Sequence, residues 1–123
     1  MKPKPEKLHN GGQWTTARKN SFIMSALRRA SRRWNPAYAA KSSARTARNT
    51  YTCAKCSKSF GSKSVKIDHR LPVRSVIPGE NTWDMIIHRL FCEKEGFQVL
   101  CLTCHNEKSV MENAQRASNK KNK

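Results

Sequence analysis

The stretch FQVLCLTCHNEKS, residues 97–109, decides the reading of this chain. Its first four residues, Phe97 to Leu100, run as a short strand directly into Cys101. From Leu102 onward the pattern turns helical and carries Cys104, His105, Lys108 and Met111. Cys101 and Cys104 therefore form a CxxC pair at a strand-to-helix junction. His105 follows Cys104, about 100° round a helix from it. An ion held by the cysteine would anchor that turn while the imidazole points elsewhere.

A second CxxC pair, Cys53 and Cys56, lies upstream, with 44 residues between the two pairs. Four thiolates at this spacing close a tetrahedral zinc site and leave it no open position, so the ion is expected to be structural Zn2+. The separation exceeds that of a simple zinc ribbon, and the intervening chain must fold as an excursion from the metal. Cys92, outside both pairs, is expected to be a buried helix residue.

Within that excursion Thr50-Tyr51-Thr52 reads as a short strand entering a knuckle turn. Val65-Lys66-Ile67 alternates and leads a second strand into Asp68-His69. Pro72 and Pro78-Gly79 make a loop, and Asn81 or Thr82 caps a helix through Ile86, Ile87, Leu90 and Phe91, with Gly96 as its stop. The zinc would then bring Asp68, His69 and His105 close together. Asp68 offers a hard carboxylate oxygen and His105 an imidazole nitrogen, a pair suited to a second ion with open positions: Mg2+ or Mn2+ first, Ni2+ or Zn2+ as alternatives. His69 has an intrinsic pKa near operating pH and suits a general base. Neighbouring strand residues face opposite ways, so Asp68 and His69 share one phosphate only if the backbone leaves the extended form there. The following Arg70-Leu71-Pro72 makes such a break at Asp68-His69 plausible.

Charge restricts the partners. Lys and Arg number 25 against 8 acidic residues, a formal +17, and only 37% of the 123 residues are hydrophobic. So small a core calls for a metal staple. Residues 1–50 hold +11 of the +17, with Glu6 as their one acidic residue. Such asymmetry fits a polyanion, and nucleic acid is the expected one. An anionic membrane surface fits poorly, because few bulky apolar residues face the basic ones. No run of 18 apolar residues exists and the first residues lack a secretory signal, so the chain is expected to be soluble and intracellular, with reduced cysteines.

Residues 1–13 read as a disordered basic arm. A helix follows from a cap at Thr15 or Thr16, with Phe22, Ile23, Ala26, Leu27, Ala30 and Trp34 on its apolar face and Arg28, Arg29, Arg32 and Arg33 around it. Asn35-Pro36 starts another toward Ala47. Residues 14–49 are expected to form a basic helical module contacting DNA, residues 50–117 a zinc-stabilised domain, and residues 118–123 a disordered tail.

The order CxxC, then IDHRLPV (residues 67–73), then FQVLCLTCHNEKS resembles the zinc-stabilised HNH endonucleases, particularly small ones of bacteriophages and mobile elements. The likeness covers residues 51–110. It implies an α+β fold built on a ββα-metal motif, with basic N-terminal helices, and a metal-dependent DNA endonuclease or nickase. In that family the acidic residue of the pair and the last histidine hold a divalent ion and the first histidine is the base, which by position are Asp68, His105 and His69. Products would carry a 5′ phosphate and a 3′ hydroxyl. Arg70 and Lys108 are candidate phosphate contacts beside double-stranded DNA. If the chain is phage-encoded, its place is the cytoplasm of a bacterial host. The chain departs from the family at Gly96, where an asparagine usually pins the loop bearing the base; Glu95 is a candidate substitute. A zinc-stabilised nucleic-acid-binding protein that does not cut is the alternative, and an RNA-binding zinc protein a third reading.

Overall fold

The computed structural model describes residues 3–121, so residues 1, 2, 122 and 123 of the expected arm and tail lie outside it. The described chain is α+β, with four helices and two small sheets. It divides into two compact units, residues 3–33 and 34–121.

In the first unit, residues 9–14 close a turn through an isolated bridge between His9 and Trp14. Asn10, Gly11 and Gly12 take positive φ there, the conformations that asparagine and glycine tolerate best. Helix α1, Thr16–Ser31, starts at Thr15, whose side chain accepts a hydrogen bond from the Arg18 amide at 3.1 Å. Phe22 packs on Trp14 at 5.1 Å between ring centroids, and the Arg18 guanidinium lies 4.6 Å over the same indole. Arg28 and Arg29 fall in the last turn, where positive charge complements the helix dipole.

The second unit starts with helix α2, Asn35–Ala44, which has Trp34 at its N-cap position without a side-chain cap bond and Pro36 in its first turn. It stops three residues short of the expected Ala47. Arg45–Ala47 instead forms strand β1, because it can pair with β2, Thr50–Thr52, across the Arg48-Asn49 turn, with Asn49 at positive φ. Strand β3, Ser59–Phe60, completes this sheet in the order β1-β2-β3. Helix α2 packs on strand β5 of the second sheet, so the division falls after Arg33 and not near residue 49.

The second sheet is the ribbon that positions the site. Strand β4, Val65–His69, pairs antiparallel with β5, Phe97–Cys101, in the register Val65↔Cys101, Ile67↔Val99, Asp68↔Gln98 and His69↔Phe97. Between them helix α3, Trp83–Leu90, starts at Thr82, whose hydroxyl accepts from the Met85 amide. Arg89 holds the preceding loop by donating to the Val73 and Glu80 carbonyls at 2.8 and 2.7 Å. Cys92 lies past the end of α3, half-buried, and not within a helix as expected.

Strand β5 runs into helix α4, Leu102–Lys121. The helix continues through residues 118–121, expected to be disordered, because the loop before α3 gives it partners: Arg116 donates to Arg74 O and Asn119 to Val76 O, each at 2.6 Å. Leu90 and Leu100, both 1% exposed, are the largest fully buried side chains. Burial of each is worth roughly 1.5–3 kcal/mol.

Candidate metal centres

Cys53, Cys56, Cys101 and Cys104 converge, their sulfurs all within 4.8 Å of one another. Tetrahedral ligation with Zn–S bonds of about 2.3 Å separates sulfurs by about 3.8 Å, so one ion can close this shell with small shifts. Local structure aims each pair. Cys53 N donates to Lys58 O and Ser57 N to Cys53 O, a turn completed by positive φ at Ser57. Ala54 N donates to Val99 O at 2.8 Å and ties the knuckle to β5. On the other side the Cys101 sulfur accepts from the Cys104 amide at 3.4 Å, a thiol placed at a helix N-terminus where negative charge is favoured. Leu100 and Phe60 pack against the cluster.

The four thiols hold their protons unequally. Burial pushes Cys53 up, but backbone hydrogen bonds from Cys56, Cys101 and Lys55, with the Cys56 side chain, outweigh it and leave its pKa at about 6. Hydrogen bonding to Cys101, followed by burial, pushes Cys104 up to about 12. One sulfur is thus already anionic near neutrality, while another yields its proton only to a competing cation. Cys92 stands apart, and burial raises its thiol.

A second constellation lies farther along the ribbon. Asp68, 8% exposed, is the one buried charged side chain among the described residues. His105 Nε2 lies 3.7 Å from Asp68 Oδ1. Two donors bonded to one cation at about 2.1 Å lie about 3–3.7 Å apart at ordinary ligand angles, so this oxygen and nitrogen fit a shared divalent ion. Gln98, the register partner of Asp68, donates to Oδ2 at 2.9 Å. Arg70 continues the same face: its Nε donates to Glu95 O at 3.0 Å and its Nη1 to Gln98 Oε1 at 3.3 Å. The chain Arg70, Gln98, Asp68 fixes the carboxylate's orientation.

His69 is placed differently. The strand stays extended through it, and the Arg70 amide still donates to Gly96 O at 2.9 Å, so the expected backbone break at Asp68-His69 is absent. Ladder pairing with β5 keeps the segment straight. The two side chains consequently leave opposite faces of β4. Asp68 meets Lys108 and His105 of α4, whereas His69 Nε2 lies 3.0 Å from the Leu90 carbonyl and its ring 4.7 Å from Phe97.

The expected phosphate contacts also resolve. The Arg70 guanidinium donates to Glu95 and Gln98, and Lys108 lies 3.2 Å from Asp68 Oδ2. Arg28, Arg29, Arg32 and Arg33 are exposed in and just after the last turn of α1. Gly96, where the asparagine was expected, is fixed by space: a Cβ there would collide with Cys92 Sγ and lie 3.0 Å from Cys92 Cβ. The loop is held instead by Arg70, through the carbonyls of Glu95 and Gly96.

Gln98 and Glu112 escaped the sequence reading. Glu112 accepts from Lys108 at 3.1 Å, an i,i+4 spacing visible in the sequence, while Gln98 is found only once the register is known. Comparison of the chain with family models, curated proteins and solved structures finds no match. Among the described residues no helix is long and apolar enough to cross a membrane.

Proposed function

We propose that this chain is a metal-dependent DNA endonuclease of the zinc-stabilised HNH type, with β4, β5 and α4 as its ββα-metal motif. The observation that carries this reading is the 3.7 Å approach of His105 Nε2 to Asp68 Oδ1, across 36 intervening residues, where the paired strands β4 and β5 meet the helix α4 that follows β5. The cysteine cluster supports it by fixing the start of the helix on which His105 sits.

Asp68 and His105 would hold a divalent ion, Mg2+ or Mn2+ by the mixed oxygen and nitrogen donors. When bound, it supplies positive charge for the phosphate and leaving oxygen. Gln98 and Arg70 keep the carboxylate aimed, which limits reorganisation during the reaction. His69 would be the base. A hydrogen bond from Nε2 to the Leu90 carbonyl makes that nitrogen the protonated one in the neutral ring. With Asp68 and His69 on opposite faces, the scissile phosphate would cross the end of β4, where groups from both faces reach it. The exposed arginines of α1 would bind backbone phosphates of the duplex.

A second reading is favoured by one feature. The His69 ring is directed at a backbone carbonyl and Lys108 neutralises Asp68, an arrangement that also suits a zinc-stabilised nucleic-acid-binding protein without catalysis. Incubation of the zinc-loaded protein with supercoiled plasmid and Mg2+ or Mn2+ separates the two. Nicked or linear products lost on Asp68→Asn support the endonuclease, and intact plasmid under all metal conditions overturns it.

A further inference from the structure

Lys108 has an unusual number of oxygen partners. Its ammonium lies 3.2 Å from Asp68 Oδ2, 3.5 Å from Asp68 Oδ1, 3.1 Å from the His69 carbonyl and 3.1 Å from Glu112 Oε2. The three side chains are shielded: 21% of Lys108, 10% of Asp68 and 20% of Glu112 is exposed. An ammonium has three N–H bonds and here faces four oxygens, so at any instant one oxygen is incompletely served. The same Asp68 carboxylate faces His105. A divalent ion shared by Asp68 and His105 and a lysine in this position would be cations a few ångströms apart, with little water between them to screen their repulsion.

Glu112 offers a resolution. It lies one helical turn beyond Lys108, on the same face of α4, and touches the ammonium without touching Asp68. We propose that Lys108 and Glu112 form a counter-ion exchange pair that sets the cation affinity of the Asp68 site. Lys108 neutralises Asp68 while no divalent ion is bound, which removes the cost of a bare buried carboxylate. When the ion takes Asp68, Lys108 withdraws to Glu112, which keeps the ammonium paired. Glu112 is therefore a positioning residue that acts through Lys108 and does not bind the ion. This proposal rests on the reading of Asp68 and His105 as ligands.

The test is Mn2+ affinity of the zinc-loaded protein, measured by the electron paramagnetic resonance of free Mn2+ at fixed pH and ionic strength, without substrate. Lys108→Met should tighten Mn2+ binding roughly tenfold, and Lys108→Gln should act in the same direction. Glu112→Gln should weaken binding roughly tenfold in the parent chain and have little effect in the Lys108→Met background. Such dependence marks action through the lysine. Equal weakening by Glu112→Gln in both backgrounds makes Glu112 a direct ligand and overturns the proposal. So does unchanged or weaker binding in Lys108→Met, provided Asp68→Asn abolishes binding. If Asp68→Asn binds Mn2+ as the parent does, the ligand assignment itself fails and takes this proposal with it.

Discussion

His105 and Asp68 approach to 3.7 Å from different elements, one in the first turns of α4 and the other near the end of β4. Both are needed if they share an ion. Asp68→Asn and His105→Ala should each lower plasmid cleavage by at least about a hundredfold, and Mn2+ titration should show weakened binding in the same proteins. Loss of cleavage with unaltered Mn2+ binding would contradict the shared-ligand assignment.

His69 has a different signature, because its side chain leaves the face of β4 opposite Asp68 and its ring contacts Leu90 and Phe97. His69→Ala should reduce the cleavage rate by about 10²–10⁴ while leaving Mn2+ affinity within about twofold of the parent. Full activity in this variant excludes it as the base.

The sulfur cluster joins β5, α4 and the knuckle before β3, and the unit it stabilises has few large buried side chains. Zinc removal by a chelator, or Cys53→Ser, should cost several kcal/mol and abolish the cooperative thermal transition of residues 34–121. Circular dichroism melts with and without restored Zn2+ measure this. A chelated protein that melts as before would show the cluster to be dispensable.

Zinc uptake should depend on pH in a defined sense. Cys53, lowered from 9.0 to about 6, is largely ionised at neutrality, and its stabilising contribution is complete above about 9 and lost as pH falls through about 6. Cys104, held at about 12, must release its proton to the solvent when the ion enters. Competition with a chromophoric chelator should show affinity falling toward acid and most steeply below about pH 6, and calorimetry in buffers of different ionisation enthalpy should detect proton release. A flat profile would exclude this ligand set.

Gly96 is constrained by Cys92 and not by its backbone angles, since a Cβ would strike the thiol. Gly96→Ala should therefore destabilise the protein by about 1–3 kcal/mol, and Cys92→Ala in the same chain should recover part of the loss. Denaturant melts of the single and double variants measure the coupling, expected to exceed about 0.5 kcal/mol. Additive effects would mean that the two residues do not meet.

Much of the metal architecture was legible because its signals are local. Each CxxC pair presents two ligands from one turn, and Thr15 and Thr82 sit directly before their helices as side-chain caps. The proximity of Asp68 and His105 followed from the convergence of the two cysteine pairs, which brings their flanks together. What escaped depends on pairing. A three-residue strand such as Arg45–Ala47 is too short for periodicity to distinguish from a fraying helix, and only its partner β2 makes it a strand. Whether β4 breaks before His69 was undecidable from Arg70-Leu71-Pro72, because the decisive bond, from the Arg70 amide to Gly96 O, joins residues 26 positions apart. The acceptors of Arg70, Glu95 and Gln98, escaped for the same reason: they become its neighbours only in the folded ribbon.

Cys104 and His105 are consecutive, with no loop between the sulfur anchor and the imidazole. Their relative bearing is therefore fixed by helical pitch alone, and no hinge exists through which one could be tuned without the other. An insertion or deletion between Cys101 and Cys104 would break the CxxC spacing, because α4 already runs from Leu102. One between His105 and Lys108 would rotate the lysine by about 100° away from the carboxylate. Tolerance to length change should thus be lowest across the whole run from Cys101 to Lys108.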